Sequence, residues 1–288
     1  MSAIAYITDS NIIDYHRLRG SETMVFWRFS LRNFSRFAVG DLVFFIDGRT
    51  RHPKTNEKGL IGYGRCTQMK NNSPKSTWDM HKTETGYEHY KDFTEAIKFY
   101  RKNDHRLPQQ LQVIKLDGIV FFQNPIFLSE IDIEISSRLE SFTYIEKDGK
   151  DSSVELLEIG KLIGVDAWVK SQNSNISKHD ISRDITEQSL RRLLEDIEVN
   201  YIDKQIRLIK NHTNCVVINN IFYTYENSNL VITFPITHKS QMNEMLGVKL
   251  ILDTLLNIEY EFNVITNANL EEKALHLLSV LNLKLLQI

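Results

Sequence analysis

The sequence predicts an α+β first module, built on a small mixed β-barrel, followed by an α/β second module. The first module, residues 1–148, contains apolar runs of strand length with only one or two helical patterns between them. Short strands separated by polar turns favour a closed barrel, because closure removes exposed sheet edges. The second module, residues 149–288, ends in an alternation of strand, helix, strand, helix and strand, which favours a sheet with crossover helices.

Individual elements follow from apolar spacing and from turn residues. The strands expected in the first module are residues 24–29, 42–46, 59–66, 113–122 and 125–128. Those expected in the second are residues 167–169, 215–225, 230–236, 262–266 and 284–288, with helices at 154–163, 186–197, 200–209, 241–256 and 270–281. Residues 70–90 are expected to be a loop, and the polar segment 147–153 is the expected linker.

Composition places the chain among ordinary globular proteins. It has 288 residues, of which 42% are hydrophobic and 25% charged. No apolar run approaches the ~20 residues that span a bilayer, and the first ten residues lack the pattern of a signal peptide. Cys66 and Cys215 are too few for a disulfide framework or a cysteine zinc cluster. A cytoplasmic protein with no membrane partner is therefore expected.

Charge is distributed unevenly along the chain. Residues 1–75 contain 12 Lys and Arg against 6 Asp and Glu, whereas the whole chain has a net charge of -2. Most of these early cations are arginines, whose planar guanidinium pairs with two phosphate oxygens. This favours a polyanionic partner, and the alternative is a solvated basic face.

Several segments of the first module carry a family resemblance. In order they are FWRFS at residues 26–30, VGDLVFFIDG at 39–48, GLIGYGRC at 59–66, STWDM at 76–80, GYEHYKDFTEAI at 86–97 and KLDGIVFFQNPIFL at 115–128. Their order and spacing resemble the EVE-like members of the PUA-type barrel superfamily over about residues 20–145. The likeness is greatest to reader modules attached to restriction nucleases of modified DNA. It implies a pocket between strands for a flipped or single-stranded base, with Trp27 and Trp78 at its border.

Base recognition outside a stacked helix requires aromatic platforms, hydrogen bonds to the base edge and cations for the flanking phosphates. The candidates for the platform are Trp27, Phe45, Tyr63, Trp78 and Tyr87. The candidates for phosphate contacts are Arg28, Arg49, Arg51 and Arg65, and those for the base edge are Ser30, Asp47 and Asp79. Strand alternation places Trp27 and Phe45 on the faces opposite to Phe26 and Phe44. The alternative to base binding is that aromatic side chains on strands pack in the hydrophobic core.

The second module resembles the restriction-endonuclease-like, PD-(D/E)xK-type fold. The segments concerned are VELLEIGKLIGVDAWV from residue 154, VINNIFYTYENSNLVITFPITHKSQMNEMLGVKLILDTL from residue 217 and FNVITNANLEEKALHLLSVLNLKLLQI from residue 262. Active members of that fold hold Mg²⁺ with an Asp on one strand and a Glu on the next. The corresponding positions here are Asn219, Pro235 and Thr237, which cannot replace two carboxylates. The resemblance therefore implies a degenerate nuclease module that serves dimerisation or the docking of another subunit.

Three functions remain open at this point. The first is a DNA-binding protein that recognises a modified base, with a role in restriction-modification or phage defence implied only by the family resemblance. The second is an active Mg²⁺-dependent endonuclease with an atypical site of Glu155, Asp166 and Lys239. The third is an RNA-binding regulator. No cofactor is expected unless the nuclease alternative holds, and the GxxxxGK, HExxH and GxSxG motifs are absent from the sequence.

Overall fold

The computed structural model describes residues 2–101, 106–131, 133, 139, 141–146, 151–172, 181–196, 199–218, 220–226, 229–256 and 258–288. Contacts divide the chain into two compact units, Met1–Ile185 and Thr186–Ile288. Each unit contains one mixed β-sheet with helices, so the chain belongs to the mixed α and β class.

The first unit is built on a six-stranded sheet. Its strands are β1 (Ile4–Thr8), β2 (Thr23–Arg28), β3 (Leu42–Arg51), β4 (Lys58–Asn72), β5 (Leu111–Ile126) and β6 (Phe142–Tyr144). The spatial order is β2-β5-β4-β3-β1-β6, with β1 parallel to β3 and every other pair antiparallel.

Side chains, rather than backbone pairing, bring the two ends of this sheet together. In the described part of the chain no ladder joins β2 to β6, so the closed barrel expected from the sequence is not completed by hydrogen bonds. The sheet nevertheless curves strongly, because the rings of Tyr6 on β1 and Phe26 on β2 lie 5.8 Å apart. A gap therefore remains between the ends of β1 and β2.

In the described part of the chain several helices accompany the sheet, and the last of them runs across the sequence boundary between the units. They are α1 (Ser10–Arg19), α2 (Pro74–His81), α3 (Tyr90–Tyr100), α4 (Ser152–Ile163), α5 (Ala167–Gln172) and α6 (Ile181–Leu193). Helix α1 begins at Asp9, whose carboxylate accepts a hydrogen bond from the amide of Asn11, and ends at Gly20 in the left-handed region. Helix α2 replaces part of the expected loop 70–90, because the Ser73 hydroxyl caps it and Pro74 occupies its first position.

Alternation along β2 distributes its side chains between two cores. Met24 and Phe26 lie in the main core, whereas Val25 packs beneath α3 with Phe93 and Ile97, and Trp27 lies against this second cluster. This agrees with the opposite faces expected for Phe26 and Trp27. Helix α3 thus covers the outer face of β2.

Residues 151–172 and 181–185 belong to the first unit, beyond the boundary expected at residue 148. Leu156, Leu157 and Val169 are fully buried members of its main core. The expected strand at residues 167–169 is the start of helix α5, because the Asp166 carboxylate accepts a hydrogen bond from the amide of Val169 at 3.0 Å. Gly160 allows α4 to approach the sheet, since a Cβ there would lie 2.4 Å from Cε1 of Phe122.

The second unit contains a five-stranded sheet of order β11-β10-β9-β8-β7. Its elements are α7 (Asp203–His212), β7 (Val216–Ile218), β8 (Ile221–Glu226), β9 (Asn229–Ile236), α8 (Met242–Leu255), β10 (Tyr260–Thr266), α9 (Glu272–Val280) and β11 (Lys284–Gln287). Strands β7, β8 and β9 form an antiparallel meander, and β9, β10 and β11 run parallel through crossover helices. The alternation expected for the end of the chain is therefore present. Across the parts of both units that are described, no helix is both long and apolar enough to span a bilayer.

Candidate nucleic-acid interface

A cleft of about 550 Å³ opens in the first unit where β1 and β2 end and α1 begins. Its walls carry five aromatic side chains: Tyr6, Phe26, Trp27, Phe29 and Tyr100. The polar residues that line it are Thr8, Asp9, Ser10, Arg28, Ser30 and Ser141. It therefore combines flat apolar surfaces with a few hydrogen-bonding groups and one cation, as small-ligand sites do.

Trp27 is the centre of one aromatic wall. Its ring lies 5.9 Å from Phe93, 5.7 Å from Phe29 and 6.1 Å from Tyr100, each time in an edge arrangement. Phe93 is fully buried, so it supports Trp27 from behind, whereas Phe29 and Tyr100 are partly exposed. The indole N–H of Trp27 has no hydrogen-bond partner among the side chains and backbone that the structure describes.

Tyr6 forms the opposite wall. Its ring is parallel to that of Phe142, with centroids 6.2 Å apart and an interplanar angle of 4°. Burial raises the pKa of the Tyr6 phenol, although a hydrogen bond with Ser141 and the charge of Arg28 oppose this. Tyr6 is therefore neutral at physiological pH and contributes an uncharged aromatic surface to the cleft.

The guanidinium of Arg28 places a positive charge at the margin of the cleft. Its guanidinium lies 3.8 Å from the ring centroid of Phe34, and its Nε donates to Gln112 Oε1 at 2.6 Å. A second guanidinium nitrogen donates to the carbonyl of Arg32. Burial lowers the pKa of Arg28, but a guanidinium remains charged in proteins. The site thus has a positioned positive charge that is only partly solvated.

The start of α1 is fixed to β3 through Asp47. This buried carboxylate accepts hydrogen bonds from the Ser10 hydroxyl at 2.5 Å, the Thr50 hydroxyl at 2.9 Å and the Arg49 amide at 3.0 Å. Burial alone would raise the pKa of Asp47, but these hydrogen bonds lower it below its ordinary value. The structure therefore uses Asp47 to hold the edge of the cleft in place.

Asp9 and Tyr100 join two sides of the cleft. Burial is the larger cause and a hydrogen bond with the Asp9 carboxylate the smaller cause that raise the pKa of Tyr100 to about 12.

Gly48 lines a further part of the wall, and a Cβ added there would meet no atom within 4 Å. The cleft therefore has unfilled space next to β3.

Three of the predicted base-binding residues lie together at the cleft, namely Trp27, Arg28 and Ser30. Trp78 and Tyr87 lie behind it, in the cluster around Phe93. Trp78 sits on α2 rather than in a loop, and its ring stacks on Phe93 at 6.0 Å. It supports the wall from the outside and is not among the residues that line the cleft.

The structure places two further platform candidates in the main core. Phe45 is fully buried against Phe26 and Phe121, because both faces of β3 are covered at this point. Tyr63 is buried, and its hydroxyl donates to Asp184 at 2.6 Å. Neither ring lines the cleft.

The remaining charged candidates take part in local contacts on the first unit, and one of them, Arg49, also donates to the carbonyl of Ser10 at the margin of the cleft at 3.2 Å. Arg65 pairs with Asp184 at 3.2 Å and donates to the carbonyl of Gly40. The other three are on the surface: Arg49 pairs with Asp14 at 2.8 Å, Arg51 donates to the carbonyl of Asn56, and Asp79 lies 3.8 Å from Lys82.

Sequence reasoning missed Tyr6, Asp9, Phe29 and Tyr100 as members of the site. Tyr100 ends a helical pattern, but its distance in sequence from Trp27 gave no reason to pair the two rings. Asp9 carried a usable signal, because an Asp before an apolar helical pattern is a typical N-cap and marks where a helix begins.

At the described positions predicted for a nuclease site, the residues take part in local hydrogen bonds and none of them is a carboxylate. Pro235 lies in β9 with its carbonyl accepting a hydrogen bond from Gln205, and the amide of Thr237 donates to Gln241. Asn219 lies outside the described residues. Lys239 pairs with Glu271 at 2.9 Å on the surface of the second unit.

The residues of the alternative nuclease site belong to different units. Glu155 is exposed in the first turn of α4, in the first unit. Asp166, in the same unit, is buried and accepts a hydrogen bond from Nε of Arg17 at 2.8 Å. Lys239 lies in the second unit. Within the described ranges, no three His, Cys, Asp or Glu side chains are grouped as a metal site requires.

A second concave region of about 500 Å³ lies in the second unit. It is lined by the acidic residues Asp253, Glu259 and Glu261, together with Tyr260. An acidic lining repels phosphate, so this region does not suit a nucleic acid.

Comparison with solved structures finds the ASCH protein from Zymomonas mobilis and two of its single-residue mutants. The ASCH structure is 16% identical, covers 54% of this chain and 95% of its own, and has a TM-score of 0.38. One mutant is 15% identical over 55% of this chain and 99% of its own, with a TM-score of 0.38. The other is 14% identical over 55% and 96%, with a TM-score of 0.37. No family model matches the sequence, and no curated protein matches it.

Proposed function

We propose that the first unit binds one base of DNA, outside the base stack, in the cleft between β1 and β2. The observation that supports this is the aromatic wall around Trp27 with the fixed cation of Arg28 beside it. The cleft volume of about 550 Å³ is within the range of small-ligand pockets.

Each part of the cleft matches one chemical need of an unstacked nucleotide. A base has an apolar π face, and stacking on an aromatic side chain contributes about 1–3 kcal/mol per base. The hydroxyl of Ser30 supplies a group for its polar edge, and the hydroxyl oxygens of Ser10 and Ser141, whose protons are engaged by Asp47 and Tyr6, supply acceptors. Arg28 supplies the positive charge that a flanking phosphate requires.

A modified base is the proposed preference. Gly48 is part of the cleft wall, and a Cβ added to it would have no protein atom within 4 Å, so the space beside this residue is unfilled. A substituent on the base would occupy this space and gain contacts that an unmodified base leaves unmade. The room beside Gly48 is the observation that supports a preference for a modified base.

For the second unit we propose a nuclease-like shape that acts in assembly rather than in cleavage. Pro235 and Thr237 supply no carboxylate for a metal ion. Leu250 and Leu255 on α8 are 67% and 55% exposed, which gives this unit an apolar surface suited to a second copy of the chain or to another subunit. A concentration-dependent sedimentation measurement tests this, since a chain that remains monomeric up to high concentration would exclude the second copy.

The cleft is tested with a substitution that blocks it without disturbing the fold. Gly48→Leu fills the open space from the wall, and Gly48 does not have a positive φ. Ser171→Leu is the control, because Ser171 is an exposed, uncharged residue on α5 of the same unit and does not line the cleft. Binding to DNA oligonucleotides with modified and unmodified bases is measured for both variants at low salt, where phosphate contacts contribute most.

We expect the unsubstituted protein and the Ser171→Leu variant to bind modified DNA, and the Gly48→Leu variant to lose that binding. Equal binding by Gly48→Leu would show that the cleft is not the site. The same reactions with and without Mg²⁺ test cleavage, and metal-dependent cuts would establish the nuclease alternative. Tighter binding of RNA in competition would establish an RNA-binding protein instead.

A further inference from the structure

A row of aromatic rings leads from the cleft to the surface of the first unit. Trp27 lies 6.1 Å from Tyr100, and Tyr100 lies 5.3 Å from Phe99 in an edge arrangement. Phe99 is 75% exposed, more than any other Phe, Tyr or Trp side chain in the part of the chain that the structure describes. The row is therefore partly buried at Trp27 and open to solvent at Phe99.

The packing of α3 does not require Phe99. The helix buries Phe93 and Ile97 against β2, and Phe99 follows at a spacing that places it away from this face. A single exposed apolar side chain is common in folded proteins. This one differs because its ring is in contact with a ring of the cleft wall, so it continues an apolar surface that already has a proposed ligand.

The end of α3 that carries Phe99 is cationic. Lys98 precedes it, and Arg101 follows with its guanidinium donating to the carbonyl of Arg106. The nearest carboxylate along the helix, Glu95, lies 3.8 Å from Lys91, and the Asp9 carboxylate nearby is engaged by the Tyr100 hydroxyl. Aromatic rings bordered by cations are the arrangement that binds successive nucleotides of an unpaired strand.

We infer that Phe99 is a stacking site for the base adjacent to the one held in the cleft, so that the protein binds at least two successive nucleotides of unpaired DNA. This inference rests on the proposed function of the cleft. It also implies that the protein binds single-stranded rather than double-stranded DNA. The neighbours of a base flipped out of a duplex remain stacked and have no free face for Phe99. The bases of a single strand have free faces on both sides.

The test compares Phe99→Ala with Phe99→Trp in the full-length chain. Leu162→Ala is the matched control, since Leu162 is an exposed apolar side chain of the same unit, on α4, at 87%. Binding is measured by fluorescence anisotropy with three probes. They are a short single-stranded oligonucleotide that carries the preferred base, the same strand with an abasic residue on either side of that base, and the corresponding duplex.

We expect Phe99→Ala to weaken binding of the intact single strand about 5- to 150-fold, which corresponds to the loss of one stacked base. Phe99→Trp and Leu162→Ala should bind as the unsubstituted protein does. One of the two abasic strands should bind the unsubstituted protein more weakly by a similar factor, and Phe99→Ala should remove that difference.

Two results would overturn the inference while leaving the cleft in place. One is single-strand binding that Gly48→Leu abolishes but Phe99→Ala leaves unchanged. The other is duplex binding as tight as binding of the single strand. Absence of any DNA binding by the unsubstituted protein at low salt would instead remove the proposed function itself, and this inference with it.

Discussion

Acid should destabilise the first unit through His16. This side chain on α1 is 1% exposed. Burial lowers the pKa of His16 from 6.5 to about 4, although the nearby Glu84 favours the charged form. Arg19 adds a smaller effect in the same direction as burial. The folded protein therefore holds a neutral imidazole that the unfolded chain would protonate near neutral pH.

The sign and size of the effect follow from proton linkage. The unfolded state binds the proton first, so the free energy of unfolding decreases as pH falls below 6.5 and stops decreasing near pH 4. Each pH unit in this window corresponds to about 1.4 kcal/mol. Between pH 7.5 and pH 5 the expected loss from this one group is about 2 kcal/mol, which is a large part of the stability of an ordinary domain.

Urea unfolding followed by tryptophan fluorescence is the assay, because Trp27, Trp78 and Trp168 all lie in the first unit. We expect His16→Leu to remove most of the loss between pH 7.5 and pH 5. The control is His89→Leu, at an exposed histidine of the same unit, which should leave the loss unchanged. An equal pH dependence in all three proteins would refute the reasoning.

Three further substitutions test the packing and the cleft. Gly160→Ala should lower the melting temperature, since its Cβ would lie 2.4 Å from the Phe122 ring and such overpacking costs about 1–3 kcal/mol. Tyr63→Phe should lower the free energy of unfolding by about 1–2 kcal/mol, because Asp184 loses a buried hydrogen bond from the tyrosine hydroxyl; an unchanged urea midpoint would show that this bond contributes nothing. Arg28→Gln should weaken DNA binding and reduce the slope of log Kd against log salt by about 0.7, the value for one phosphate of a single strand. An unchanged slope would mean that Arg28 contacts no phosphate.

The secondary structure that rests on local apolar patterns was predictable from the sequence. The aromatic run of β2, the apolar run of β3 and the glycine-rich start of β4 all lie within observed strands. The strand and helix alternation from β9 to β11 is also present, because each helix there has the length and spacing of a crossover connection.

Helix α2 could not be recognised by apolar periodicity, because its sequence PKSTWDMH offers few apolar side chains. Its signal lies instead in the cap, where Ser73 accepts a hydrogen bond from Ser76 and Pro74 occupies the first turn.

The extent of the first unit could not be predicted from the sequence, for a different reason. Val169 joins its core through tertiary contacts that no local pattern encodes.

The cleft could be predicted only in part, because strand alternation tells which residues share a face but not which faces are covered. Trp27 and Phe45 have the same local pattern, yet Trp27 borders the cleft and Phe45 is buried beneath Phe26. Asp9 and Tyr100 are far apart in sequence and meet only in the folded unit. Such pairs require the three-dimensional structure.

The arrangement of the cleft suits binding with little reordering. Trp27 is supported by the buried Phe93, and Arg28 is held over the ring of Phe34, so both are ordered before any ligand arrives. Fixing a mobile side chain on binding costs about 0.5–1.5 kcal/mol, and this cost is small here. It follows that a change at a supporting residue such as Phe93 should reduce stability and affinity together. A change that only fills the space above Gly48 should reduce affinity alone, and this contrast separates a damaged fold from a blocked site.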